Sequence, residues 1–116
     1  MKEHQVVFQL STGDMAVHRA LLRQLGNLLV YFEGRLLKAE VVVHGQAYPL
    51  LSEESAYREE IMSLQGRGVQ WLLCANTIRS LSASASWLPG VRIIPAGVGH
   101  LVERQLEGWA YLRAGE

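Results

Sequence analysis

Four short apolar runs set most of what this chain can fold into. They are Gln5–Leu10 (QVVFQL), Ala39–Val43 (in LKAEVVVHG), Val69–Leu73, and Val91–Ile94. Each is of strand length and stops at Gly, Pro or a small polar residue: Ser11, His44-Gly45, Cys74 and Pro95. Short continuous apolar runs of this kind fit strands buried on both faces, as in a parallel sheet. Trp109–Leu112 is a fifth, less marked candidate.

The intervals carry helical patterns. Asp14 is placed to cap a helix running through Phe32, with Gly34 as its stop. Val17, Leu21, Leu25, Leu28 and Phe32 follow 3–4 spacing, and Leu22 and Leu29 widen the stripe. A stripe that broad predicts one part on the sheet and another against a second subunit. Ser52, with Glu54 and Ser55, predicts the start of a second helix with Tyr57, Ile61 and Leu64 inward, ended by Gln65-Gly66-Arg67-Gly68. A third spans about Asn76 to Ala85 and a fourth about Val98 to Leu106, and the Ser82–Ser86 alternation with Ala is a helix end or loop. The order β-α-β-α-β-α-β-α-β predicts an α/β fold, an open parallel sheet with helices on both faces.

The 116 residues suit one domain over 1–116, and 49% hydrophobic content supplies a core without disulfide or metal staples. Lys+Arg and Asp+Glu both number 11, so the net charge is zero. That balance lacks the footprint of a nucleic-acid binder, and it opposes self-association little. The lone cysteine makes no internal disulfide and suits a reducing compartment. The N-terminus lacks a signal-peptide pattern, and no run of about 18 apolar residues suggests a membrane span, so the cytoplasm is the expected location.

In open α/β sheets, ligands and chemistry gather at the carboxyl ends of strands. Those ends are Ser11-Thr12-Gly13-Asp14, His44-Gly45-Gln46, Cys74-Ala75-Asn76-Thr77 and Pro95-Ala96-Gly97. Cys74 thus falls on the rim, just before a helix whose free N–H groups favour thiolate. Asn76 and Thr77 are good cap types able to hold a sulfur anion. His44 adds a proton donor or a cation if its strand neighbours that of Cys74. Plainer roles stand beside these: Cys74 as packing, His44 as a histidine satisfied by a loop carbonyl, Gly45 as a turn glycine. A flavodoxin-like strand order instead brings Ser11–Asp14 beside Cys74.

Other features carry less. Asp14 opposes anion binding at its own helix start, and Gly97-Val98-Gly99-His100 lacks the spacing of a phosphate fingerprint. His4, His18, His44 and His100 show no ligand spacing with Cys74, so neither a metal nor a cofactor is expected. Glu53, Glu54, Glu59 and Glu60 read as a solvated helix face. Trp71, Trp87 and Trp109 read as packing or interface anchors.

The chain resembles the DsrE/DsrF-like proteins, which include YchN-type proteins and subunits of bacterial sulfur-relay complexes. The likeness runs through Leu25-Gly26-Asn27-Leu28-Leu29, Val41-Val42-Val43-His44-Gly45, Leu50-Leu51, Gly68-Val69, Cys74-Ala75-Asn76-Thr77, Ala96-Gly97-Val98 and Gly108-Trp109-Ala110-Tyr111. It covers nearly the whole chain and rests on order and spacing. The resemblance implies a three-layer α/β/α fold around a mostly parallel five-stranded sheet. It also implies trimers or hexamers with sites near subunit contacts, and a cysteine at the Cys74 position that accepts sulfur as a persulfide.

These readings predict a sulfur carrier, sulfurtransferase-like, with Cys74 as nucleophile and His44, Gly45, Asn76 and Thr77 in support. Its partners are sulfur donor and acceptor proteins or small persulfides. With no second cysteine, the chain needs both from elsewhere. Two alternatives remain. One is a non-catalytic oligomeric module holding a small anionic ligand or partner protein at the strand-end crevice. The other is an assembly subunit built on the first helix and the tryptophans.

Overall fold

The computed structural model describes residues 3–35, 37–81 and 85–115. Its elements are β1 His4–Leu10, α1 Met15–Tyr31, β2 Leu37–Val43, α2 Arg58–Gly66, β3 Val69–Cys74, α3 Ala75–Ser80, β4 Arg92–Ile94, α4 Gly97–Leu106 and β5 Ala110–Arg113. The strands form one sheet in the order β4-β3-β2-β1-β5, and every neighbouring pair is parallel. The expected α/β architecture is therefore observed, and the strand order left open by sequence is settled: β2 lies beside β3.

Connection handedness places the helices. From β1 to β4 the chain steps one strand at a time in one direction. Right-handed crossovers then put α1, α2 and α3 on one face. The last connection returns across the whole sheet to β5, which puts α4 on the other. The packing agrees. Val6, Phe8 and Leu10 of β1, Val41 and Val43 of β2, and Val69, Trp71 and Leu73 of β3 pack with Leu21, Leu22 and Leu25 of α1 and Ile61 and Leu64 of α2. Alternate residues Val7, Val42 and Leu72 form a smaller core with Ile94, Leu101 of α4 and Trp109.

The two faces differ in polarity. The α1 face is apolar along its length, whereas the α4 face mixes Gln5, Gln9, Glu40 and Gln70 with its valines and leucines. Glu40 is only 3% exposed there. Arg104 holds it with two bonds, Nε to Oε1 at 2.9 Å and Nη2 to Oε2 at 2.8 Å, and His100 Nε2 lies 2.7 Å from Oε1. Arg104 also stacks over Trp109, 4.4 Å from the ring centroid. A buried carboxylate needs such partners, and these two come from successive turns of α4, fastening it to β2.

Several boundaries differ from expectation. Asp14 caps α1 as expected, its Oδ1 accepting from the Ala16 N–H at 2.9 Å. α1 closes at Tyr31 and Gly34 follows in a turn with φ +81°. The second helix does not start at Ser52. Gly45–Leu51 first form a 3-10 helix containing Pro49, which buries Leu50 and Leu51, and Ser52 pairs with Trp87 in an isolated bridge. α2 begins only at Arg58, with Ile61 and Leu64 inward. α3 ends at Ser80, and residues 82–84, on which its expected continuation fell, lie outside the described residues. An exposed apolar stripe runs along α4, where Val98, Val102 and Leu106 recur every four residues on its outer side.

Candidate functional site

The parallel register builds the site. Val43 of β2 pairs with Leu73 of β3, and Cys74 pairs with Ile94 of β4. His44 continues β2 in extended conformation, φ −148° and ψ 176°. Residues one step past a parallel pair leave their strands side by side, about 4.8 Å apart across the sheet. Alternation sends both side chains to the α4 face, after Val42 and Leu72.

Gly97, the first residue of α4, closes over this pair. A β-carbon there would lie 3.1 Å from Val42 Cγ1, 3.4 Å from Cys74 Cβ and 3.5 Å from His44 Cβ. Glycine lets the helix start that close, and its N–H donates to Cys74 Sγ at 3.2 Å. Thr77 adds a second tie: its Oγ1 accepts from the Gly45 N–H at 2.8 Å, joining the loop after β2 to the start of α3. Gly45 has φ +58°, a left-handed conformation suited to glycine, and a side chain there would also press on the Ser11 carbonyl oxygen at 3.2 Å.

Burial alone pushes the Cys74 thiol up. The Gly97 N–H, the Thr77 N–H and hydroxyl and the Asn76 N–H outweigh it, and the thiol is held below its ordinary value. Hydrogen bonds to the charged form lower a pKa in this way. The direction is the one expected from sequence, but its first source is α4 from across the cleft, ahead of the residues following Cys74. The Asn76 side chain has a different task, since its Oδ1 accepts from Arg79 on the exposed side of α3.

Cys74 is 6% exposed yet lines an open cleft of about 450 Å³. Ser11, His44, Gly45, Gln46, Asn76, Thr77 and Ser80 supply its polar wall; Leu81, Gly97 and Val98 supply the rest. No lysine, arginine or carboxylate is among these residues. Burial pushes the His44 pKa down. The thiolate is thus stabilised by N–H and O–H groups and not by a neighbouring cation. Of the four strand ends expected on one rim, Ser11, His44, Cys74 and Gly97 meet at the cleft, while Asp14 is spent on capping α1. No cluster of three or more metal-ligating side chains is present among the described residues. Glu53, Glu54, Glu59 and Glu60 are exposed. No helix among the described residues is long and apolar enough to cross a membrane.

Sequence reasoning placed Gly97 on the rim but gave it no role at Cys74. It did not find Gln9, whose Nε2 lies 2.9 Å from His44 Nε2, Tyr111, whose hydroxyl donates to Gln9, or the Glu40–His100–Arg104 cluster. A glycine placed as the first helical residue after a strand end was the available signal for Gly97.

No family model matches the chain, and no curated protein matches it. Solved structures do. MTH1491 of Methanobacterium thermoautotrophicum, a protein of unknown function, is 34% identical, with 96% of this chain and 99% of that one covered and a TM-score of 0.89. BT1422 of Bacteroides thetaiotaomicron shares 14% identity at a TM-score of 0.70, covering 94% of this chain and 93% of that one. YchN of E. coli shares 15% identity at a TM-score of 0.68, covering 97% and 99%. The likeness to the last two is one of fold. An identity of 34% over almost all of both chains puts this protein in the family of MTH1491, with a YchN-like fold.

Proposed function

We propose that this protein is a sulfur carrier of the DsrE/DsrF-like kind, loaded and unloaded at Cys74. The observation that carries the reading is the Gly97 N–H of α4 donating at 3.2 Å to a sulfur that borders an open cleft, with the first turn of α3 also favouring the thiolate. A thiol packed for stability needs no such donors; a thiolate does.

The chemistry is a pair of exchanges. The Cys74 thiolate attacks the outer sulfur of a donor persulfide, R–S–SH. The donor's S–S bond breaks, the donor leaves as the thiolate RS⁻, and Cys74 becomes Cys74–S–SH. An acceptor thiolate then attacks that outer sulfur and Cys74 thiolate is restored. No oxidant or reductant is consumed. The chain has no second cysteine, so it cannot trap its own persulfide as a disulfide. The absence of cationic side chains from the cleft wall disfavours the alternative of a module for small anionic ligands. The exposed Val98, Val102 and Leu106 of α4, the first of them at the cleft, support self-association.

The test is mass spectrometry of the reduced protein after incubation with a small alkyl persulfide. A gain of one sulfur atom that vanishes in Cys74→Ser supports the carrier. No gain in the wild type rules it out.

A further inference from the structure

Four side chains cross the α4 face at the carboxyl end of the sheet: Tyr111 of β5, Gln9 of β1, His44 after β2 and Cys74 of β3. The Tyr111 hydroxyl donates to Gln9 Oε1, and Gln9 Nε2 lies 2.9 Å from His44 Nε2. This fixes the direction of the row. The amide oxygen is taken by the tyrosine proton, so the amide NH2 meets the imidazole. An amide N–H only donates, so His44 Nε2 accepts. A neutral imidazole accepting at Nε2 carries its proton on Nδ1. No described residue is bonded to Nδ1, and that atom is not one of the buried polar atoms left without a partner. Among the described residues Nδ1 is thus left free to donate, on a residue that lines the Cys74 cleft.

We propose that Gln9 and Tyr111 are positioning residues that lock His44 in its Nδ1–H tautomer, so that it presents one N–H to a sulfur leaving or resting at Cys74. This assignment of purpose rests on the carrier reading above. During loading the donor's thiolate departs as its S–S bond breaks, and the Nδ1–H hydrogen-bonds it without giving up the proton. The lowered His44 pKa accords with an imidazole that stays neutral near pH 7. The other titratable or charged side chains on this face are Lys38, Glu40, Arg92, Arg113 and, from α4, His100 and Arg104. Glu40 is paired with the last two.

Nitrogen-15 NMR of the histidine rings in the full chain reads the tautomer directly, with His44→Gln assigning the signal. Near neutral pH the wild type is expected to show His44 protonated at Nδ1 and bare at Nε2. Tyr111→Phe, which removes one partly exposed hydroxyl, and Gln9→Leu should each shift the ring toward a mixture. Gln9→Glu should raise the pH at which His44 titrates by about one unit or more, since a carboxylate favours the imidazolium. Persulfide loading of Gln9→Leu should slow several-fold.

A wild-type Nε2–H tautomer, or a tautomer ratio unchanged in both Tyr111→Phe and Gln9→Leu, overturns the lock even if Cys74 loads normally. A changed tautomer with unchanged loading overturns its role in transfer. Failure of the wild type to load with the Nδ1–H form intact leaves the lock standing and removes the carrier reading.

Discussion

Replacing Gly97 by alanine isolates the contribution of α4 to the cysteine. The new β-carbon would stand 3.1 Å from Val42 Cγ1 and 3.4 Å from Cys74 Cβ. Val42 is fully buried and cannot withdraw. The first turn of α4 must lift instead, which lengthens the 3.2 Å bond from the Gly97 N–H to Cys74 Sγ. A hydrogen bond to a charged group contributes about 1.5–3 kcal/mol, and each pKa unit is about 1.4 kcal/mol. A bond largely lost therefore raises the Cys74 pKa by about one unit or more. Crowding costs roughly 1–3 kcal/mol, partly offset by up to ~1 kcal/mol of helix propensity, so the variant should still fold. The assay is the rate of alkylation of Cys74 by iodoacetamide as a function of pH. Gly99→Ala is the control, because its β-carbon would meet only Ala96 Cβ at 3.7 Å. Expected is a midpoint raised about one unit for Gly97→Ala, with slower reaction at every pH below it, and Gly99→Ala superimposable on the wild type. A Gly97→Ala profile overlying the wild type would refute the assignment of α4 as the principal source of the lowered pKa.

Thr77→Val should raise the Cys74 midpoint and cost about 1–3 kcal/mol in chemical denaturation, because it strands the Gly45 N–H, whereas Thr77→Ser should restore both. Glu40→Ala should destabilise by about 3 kcal/mol, since it leaves Arg104 and His100 without their buried partner. Burial pushes the Glu40 carboxyl up, but the bonds from Arg104 and His100 outweigh it and hold it below the usual range. Its stabilisation is then complete above the unfolded carboxyl's pKa of about 4.3 and is lost as pH falls toward the lower folded value. The stability difference between wild type and Glu40→Gln, followed by acid titration, should shrink over that window. Val102→Lys with Leu106→Lys should lower the oligomeric state in sedimentation without changing the Cys74 alkylation profile of the dissociated chain.

Much of the framework was legible because parallel strands announce themselves by apolar runs. Val41–Val43 and Leu72-Leu73 are buried whichever way they point, and their polar stops marked the rim. The rim position of Cys74 followed from the strand-end rule, whereas His44 also needed β2 beside β3, an order the sequence left open. The misread start of the second helix has a local cause: Ser52-Glu53-Glu54-Ser55 resembles a capping sequence. Pro49 and the buried Leu50-Leu51 pair instead hold the chain in a 3-10 helix, and Trp87 from a distant loop takes Ser52 into a bridge. The remaining site residues depend on which elements meet. Gly97 matters because the last connection recrosses the sheet, and Gln9 because β1 separates β5 from β2. Their trace in the sequence is that Gln5 and Gln9 of β1 and Lys38 and Glu40 of β2 all fall in the alternation that faces α4.

The most direct measurement is the ultraviolet thiolate absorbance of the wild type minus that of Cys74→Ser, followed against pH. Titration below the ordinary free-thiol value of about 8.5 is expected for the folded chain. A single transition at or above that value would contradict the claim that the amide and hydroxyl groups around Cys74 prepare it to carry sulfur.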